Sequence, residues 1–322
     1  GDDPELEEHT DVFPPLRAML PAVTQRLADE LYMPVAPLQE LVDLLNRRRQ
    51  LVIFGPPGTG KTYVAKKLAD RLAGAQDPSR VRLVQFHPSY AYEDFFEGFR
   101  PTQQNGQAHF ALQDGPLKLI AAEAAKAENR GKPFVLIVDE LNRANLAKVF
   151  GELYFLLEYR EETVRLQYRP SEPFSLPDNL FIIGTMNTAD RSIALVDTAI
   201  RRRFPFYEMH PSREPVSGVL AEYAKRKGLQ DDRVKLLAEL NAAMGERGHD
   251  LHIGPSYLMR DGLDQPGALD LVWRYDILPL LQEHFYGSKS PDTIADEFGL
   301  ASLRKRIQHG ATTAPKPEDA DT

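Results

Sequence analysis

Hydrophobic positions along this chain follow two rhythms, and the change comes just after Tyr207. Before it, short apolar runs rich in Val, Ile, Leu and Phe alternate with amphipathic stretches. Leu51–Phe54, Val81–Phe86, Phe134–Val138, Leu180–Gly184 and Phe204–Tyr207 read as strands, most of them buried on both faces. Leu38, Leu41, Leu44 and Leu45 have helical spacing, and Lys61 to about Leu72, Leu117–Ala127 and Lys148–Glu158 read as further helices. Phe110–Leu112 with Gly115, and Thr163–Tyr168 with Pro173–Leu176, suggest hairpin excursions. Strands alternating with helices predict an α/β fold, a parallel sheet covered on both sides in an αβα sandwich. Residues 216–310 carry Leu, Ala, Glu and Lys at helical spacing and predict a smaller helical domain. The expected division is an acidic tail and helix over 1–30, the αβα domain over 31–209, the helical lid over 210–310, and a disordered tail over 311–322.

In such a sheet, ligands bind at the carboxyl ends of the strands. The first strand runs into Gly55-Pro56-Pro57-Gly58-Thr59-Gly60-Lys61-Thr62, which opens the following helix with Tyr63 in its first turn. Glycines there let backbone N–H groups curl around phosphates. Lys61 supplies a fixed charge to the β- and γ-phosphates, and the Thr62 hydroxyl is a ligand for Mg²⁺. The strand Phe134–Val138 ends in Asp139 and Glu140. Asp139 is placed to hold Mg²⁺, directly or through water, and Glu140 to orient and deprotonate an attacking water. This is the equipment of a nucleoside triphosphatase.

Three other groups have two readings each. Asn187 follows the strand Leu180–Gly184 and either senses the γ-phosphate or forms a turn before a helix. Asp190 could equally cap that helix. Arg201-Arg202-Arg203 suits a helix C-terminus, yet three arginines exceed what a cap needs, and a guanidinium brought to a γ-phosphate stabilises transition-state charge. Arg47-Arg48-Arg49 and Arg304-Lys305-Arg306 read as solvated helix ends. His249 and His252 read as a surface pair rather than a metal site. The aromatic run Tyr90–Phe99 reads first as packing, second as a ring pore or partner surface.

Composition narrows the setting. The 322 residues are 42% hydrophobic and 27% charged, ordinary for a globular protein. A net charge of −8 argues against the whole domain gripping DNA non-specifically. The chain has no cysteine, which removes thiolate chemistry and fits a reducing cytoplasm. Its apolar runs are strand-sized, so no membrane span is expected, and the acidic start Gly1-Asp2-Asp3-Pro4 does not resemble a secretory signal.

The combination of GPPGTGKT, DELNRAN over 139–145 and MNTADRS over 186–192 resembles the McrB-type AAA+ GTPases of modification-dependent restriction systems. The likeness extends to Val84–Tyr90, Tyr92–Phe95, Lys148–Leu153, Ile253–Tyr257 and Tyr275–Leu281, and covers roughly residues 31–290. It implies a nucleotide-binding domain with a helical lid, assembled as a hexameric homo-oligomer that hydrolyses GTP. It implies that Asn187, Asp190 and Arg191 belong to the site and that Arg202 and Arg203 act as fingers on the neighbouring protomer's nucleotide. It also implies an McrC-type endonuclease partner, and DNA engaged through the complex. Two features depart from the pattern: Pro255 stands where the family often has His, and the N-K-x-D motif that reads guanine in many GTPases is absent. ATP therefore stays open as substrate. A MoxR-like ATPase that remodels proteins, and a ring scaffold without useful turnover, are the alternatives. MNTADRS argues against the first and the intact Glu140 against the second.

Overall fold

The computed structural model describes residues 18–74, 77–104, 107–189 and 198–312. Helices α1 (Gln25–Leu31) and α2 (Val35–Arg48) lead into β1 (Gln50–Gly55), and the loop after β1 opens α3 (Lys61–Leu72). Next come β2 (Val81–Gln85), the one-turn α4 (Tyr92–Phe95), a hairpin of β3 (Glu97–Gln104) and β4 (Gln107–Asp114), and α5 (Pro116–Ala124). β5 (Phe134–Asp139) is followed by α6 (Leu146–Phe150), α7 (Leu153–Glu158) and a small hairpin of β6 (Val164–Arg165) and β7 (Pro173–Phe174). β8 (Leu180–Asn187), α8 (Thr198–Arg203) and β9 (Phe206–Glu208) complete the sheet region. The rest is helical: α9 (Val219–Lys227), α10 (Arg233–Met244), α11 (Ala268–Val272), α12 (Leu278–His284), α13 (Pro291–Phe298) and α14 (Leu300–Thr312).

Five strands form one parallel sheet in the order β2-β5-β8-β1-β9. Successive side chains leave a strand on opposite faces, and both faces here are apolar. Phe134, Leu136 and Val138 of β5 enter the core on one side with Leu180, Ile182 and Met186 of β8. Val135 and Ile137 enter the core on the other side with Phe181 and Ile183. Leu27, Ala28 and Leu31 of α1 and Leu38, Leu41, Val42 and Leu45 of α2 pack into that second core. The C-terminal helices build a third core around Trp273, whose indole N–H donates to Phe298 O at 2.8 Å. Among the described residues no helix is long and apolar enough to cross a membrane.

The structure departs from the sequence reading in particular places. The helix expected over 148–158 is two short helices, α6 and α7, broken at Gly151 with φ 48°. A Cβ there would lie 3.3 Å from the Tyr92 ring. The apolar period runs through the break, since Val149, Phe150, Leu153, Leu156 and Leu157 are all buried, so periodicity could not reveal it. Arg49 is no solvated helix end. It is 1% exposed, donates to Ala18 O at 2.7 Å, forks onto Asp178 and lies over the Phe181 ring. The aromatic run divides: Tyr92, Phe95 and Phe96 are buried, whereas Phe99 projects from β3 and is exposed.

The base of the first hairpin is fixed by charge. Glu97 is fully buried and accepts from Lys118 Nζ at 2.6 Å. Arg169, beside the second hairpin, reaches both Glu97 at 3.1 Å and Asp114 at 2.6 Å. The two hairpins are thereby tied to each other and to α5.

Asn179 closes the opposite end of the sheet. Its buried amide donates to Ala124 O, Asn129 O and Lys132 O at 3.0, 2.8 and 3.0 Å. Replacing it (Asn179→Leu) strands these carbonyls and should cost about 2 kcal/mol. A urea titration should show a lower midpoint with an unchanged slope, and an unchanged midpoint would contradict the assignment.

Candidate active site

The register of the sheet assembles the site. Gly55 of β1 lies beside Asn187 of β8, and Val138 of β5 lies beside Gly184. The ends of the three adjacent strands therefore deliver the Gly55–Thr62 loop, Asp139-Glu140 and Asn187 to one edge. Lys61 is buried with Nζ 2.9 Å from Gly55 O and 2.8 Å from Pro56 O, held at the mouth of its own loop. Thr59 supports the turn by donating to Pro56 O at 3.0 Å.

Asp139 Oδ1 accepts two hydroxyls, from Thr62 at 2.6 Å and from Thr185 at 2.5 Å. The Thr185 oxygen in turn accepts the Glu140 backbone N–H at 3.4 Å. Glu140 has left-handed backbone angles, φ 55° and ψ 45°. That conformation is costly for a residue with a Cβ and persists where surroundings over-determine it. Its carboxylate is held on both oxygens: Asn187 Nδ2 donates to Oε1 at 2.7 Å, and Arg143 Nε lies 3.3 Å from Oε2. Lys61, Thr62, Glu140, Thr185 and Asn187 line one cleft of about 220 Å³.

The C-terminal helical region reaches this cleft through its backbone. Gly254 N–H donates to Pro57 O at 2.9 Å and Ser256 N–H to Gly58 O at 3.0 Å. The approach leaves no room for a side chain, because a Cβ on Gly254 would fall 2.1 Å from the Gly58 carbonyl carbon. Ser256 and Tyr63 also line a second cavity of about 380 Å³, between the 31–33 turn and the lid. That places Leu31, Tyr32 and Met33 beside the phosphate loop.

Among the described residues no cluster of three or more His, Asp or Glu could hold a metal on its own. The paired oxygens of Thr62 and Asp139 suit Mg²⁺, which takes one or two protein oxygens and completes its shell with phosphate and water. Asp190 and Arg191 lie outside the described residues. The two finger candidates are separated: Arg203 pairs with Glu158 at 2.8 Å and lies over the Tyr154 ring, whereas the Arg202 side chain is exposed. Neither lines the phosphate cleft of its own chain. Sequence reasoning missed Thr185, Arg143 and Ser256. A polar Thr185 inside an otherwise apolar strand was the available signal for the first.

The histidines are not a surface pair. His249 stacks on the buried His210 with ring centroids 3.7 Å apart, and His252 lies 5.0 Å from His210. Burial, then the neighbouring imidazoles, pulls His252 down from 6.5 to about 4. As pH falls through that window, the unfolded chain takes up a proton that the folded chain refuses. The stability held by the neutral ring is thus full above pH about 6.5 and lost toward about 4. His252→Phe should flatten this part of a pH–stability curve measured by urea unfolding. An identical acid limb in the variant would contradict the assignment.

Comparison with known proteins places this geometry. Residues 50–204 match the family described as AAA domain (dynein-related subfamily), and residues 232–292 match McrB, alpha-helical lid domain. The chain is 36% identical over 292 residues to the type IV methyl-directed restriction enzyme EcoKMcrB subunit of Escherichia coli (strain K12), covering 85% of this chain and 62% of that protein. It is 30% identical over 205 residues to the type II restriction enzyme BsuMI component YdiS of Bacillus subtilis (strain 168), covering 52% and 60%. With human Neuron navigator 3 it shares 25% over 316 residues, 87% of this chain but 12% of that one. The chain thus spans about three fifths of the length of the two restriction proteins. Residues 50–204 are thus an AAA domain and residues 232–292 an McrB-type lid, joined at the phosphate loop in a P-loop nucleoside triphosphatase similar to the McrB subunit.

Proposed function

We propose that this chain hydrolyses GTP in a hexameric ring of identical protomers and drives an McrC-type nuclease on DNA in the cytoplasm. In this reading 31–209 is the nucleotide-binding domain and 210–310 the lid. The observation that supports it most is the convergence of Lys61, Thr62, Glu140 and Asn187 on one cleft, with Asp139 bonded to Thr62, beside a lid segment hydrogen-bonded to the phosphate loop. The guanine preference and the nuclease partner rest on the likeness to the McrB family.

The geometry supports a role for each residue. Phosphate oxygens replace the carbonyls that Lys61 now touches, and Gly58 and Gly60 let backbone N–H groups face them. Thr62 and Asp139 would hold Mg²⁺, which screens the phosphate charge. Glu140 takes the proton of the attacking water, and Asn187 fixes the rotamer of that carboxylate. Arg203 is committed to Glu158 of its own chain, so Arg202 is the finger offered to the neighbouring protomer.

Turnover of GTP against ATP, with and without a co-purified nuclease subunit, tests the reading directly. Faster ATP turnover would overturn the guanine assignment. Glu140→Gln should retain nucleotide binding and lose turnover by about 10²-fold or more. Turnover within tenfold of the parent would assign the base elsewhere. Arg202→Ala should lower turnover by roughly 10³-fold with nucleotide affinity of the monomer kept. Mixed with Glu140→Gln protomers, it should regain part of the activity, since some interfaces then pair an intact Glu140 with an intact Arg202. Mixed rings confirmed by mass that stay inactive would place the arginine in cis.

A further inference from the structure

The second cavity carries chemistry that the phosphate site does not use. Tyr32, in left-handed conformation with φ 56°, and Met33 form its wall on the sheet side. Tyr63 stands on the phosphate side, and Tyr223 and Met259 close it from the lid. Tyr32 and Tyr223 meet edge to face with centroids 5.3 Å apart. Among the described residues that line it, two are charged: Lys227, the last residue of α9, and Asp261. Lys227 Nζ lies 3.4 Å from Asp261 Oδ1, and the Asp261 side chain is 90% exposed. A pair this exposed contributes little to stability, so its placement at the mouth of an aromatic cavity calls for another account.

We infer that Asp261 and Lys227 read the Watson–Crick edge of guanine. The inference rests on the proposal that a nucleoside triphosphate occupies the adjoining phosphate cleft. The two cavities share Gly58, Gly60, Tyr63 and Ser256, so a base in the second is continuous with phosphates in the first. Guanine presents two adjacent donors, N1–H and the 2-amino group, next to the 6-oxo acceptor. A carboxylate accepts both donors in a bidentate pair, and an ammonium beside it donates to the oxo group. Asp261 and Lys227 supply that acceptor and donor side by side. Adenine places an unprotonated N1 where the carboxylate needs a donor, and the carboxylate is left facing a lone pair. The lid thus reads the base with side chains where the N-K-x-D motif is absent.

The test is equilibrium binding to the full chain of four nucleotides: GTP, ITP, which lacks the 2-amino group, XTP, which carries an oxygen there, and ATP. The parent should bind GTP roughly tenfold or more tightly than ITP, the scale of one bidentate base contact. Asp261→Asn should weaken GTP by a similar factor and improve XTP, because the new amide N–H donates to the 2-oxo group. Its ATP affinity should not change, which also shows that the variant is folded. Lys227→Met should weaken GTP, ITP and XTP together relative to ATP. An Asp261→Asn variant with the parent's GTP-to-XTP ratio would overturn the inference and leave the triphosphatase reading intact. A parent that binds none of the four nucleotides would overturn both.

Discussion

Everything at the site depends on the register of a parallel sheet. Three strands, β5, β8 and β1, are paired so that their carboxyl ends finish together. Each strand then contributes what its own end carries: a carboxylate pair, an amide, and a glycine-rich loop. A slip of one residue in β8 would turn Thr185 and Asn187 to the opposite face. Asp139 would lose its second hydroxyl and Glu140 its amide partner. Burial on both faces is what prevents the slip, because the alternating residues of β5 and β8 belong to two separate cores.

The lid is joined to this edge by main-chain hydrogen bonds. Gly254 and Ser256 place two N–H groups on the carbonyls of Pro57 and Gly58. Backbone contact of this kind fixes position through main-chain atoms, and at Gly254 it tolerates no side chain. The 252–258 segment thus connects the phosphate loop at one end with His252, packed beside His210 and His249, at the other.

Much of this was legible in the sequence. The five sheet strands were visible because runs such as Phe134–Val138 are apolar throughout, and the loop, Asp139, Glu140 and Asn187 were visible because they follow such runs. What was hidden depends on contacts distant in sequence. Arg49 reads as one of three basic residues at a helix end, yet Asp178 and Ala18 bury it. His210 is far in sequence from His249, so their stacking leaves no local pattern. The break at Gly151 lies inside an unbroken amphipathic period, and its neighbour there is the Tyr92 ring, distant in sequence. Arg202 and Arg203 look equivalent in sequence; the proximity of Glu158 and Tyr154 distinguishes them.

The ionic cluster at Glu97, Lys118, Arg169 and Asp114 bears on how this region can change over generations. Removing either cation leaves the fully buried Glu97 carboxylate short of a counter-charge, and removing Glu97 leaves two cations without their shared acceptor. Loss of Glu97, Lys118 or Arg169 one at a time therefore passes through a penalised intermediate. Drift at these positions is therefore confined to concerted exchange, in which the hairpin base and α5 are replaced together, while the exposed Gln103, Ala108 and His109 further along the same hairpin are free to diversify.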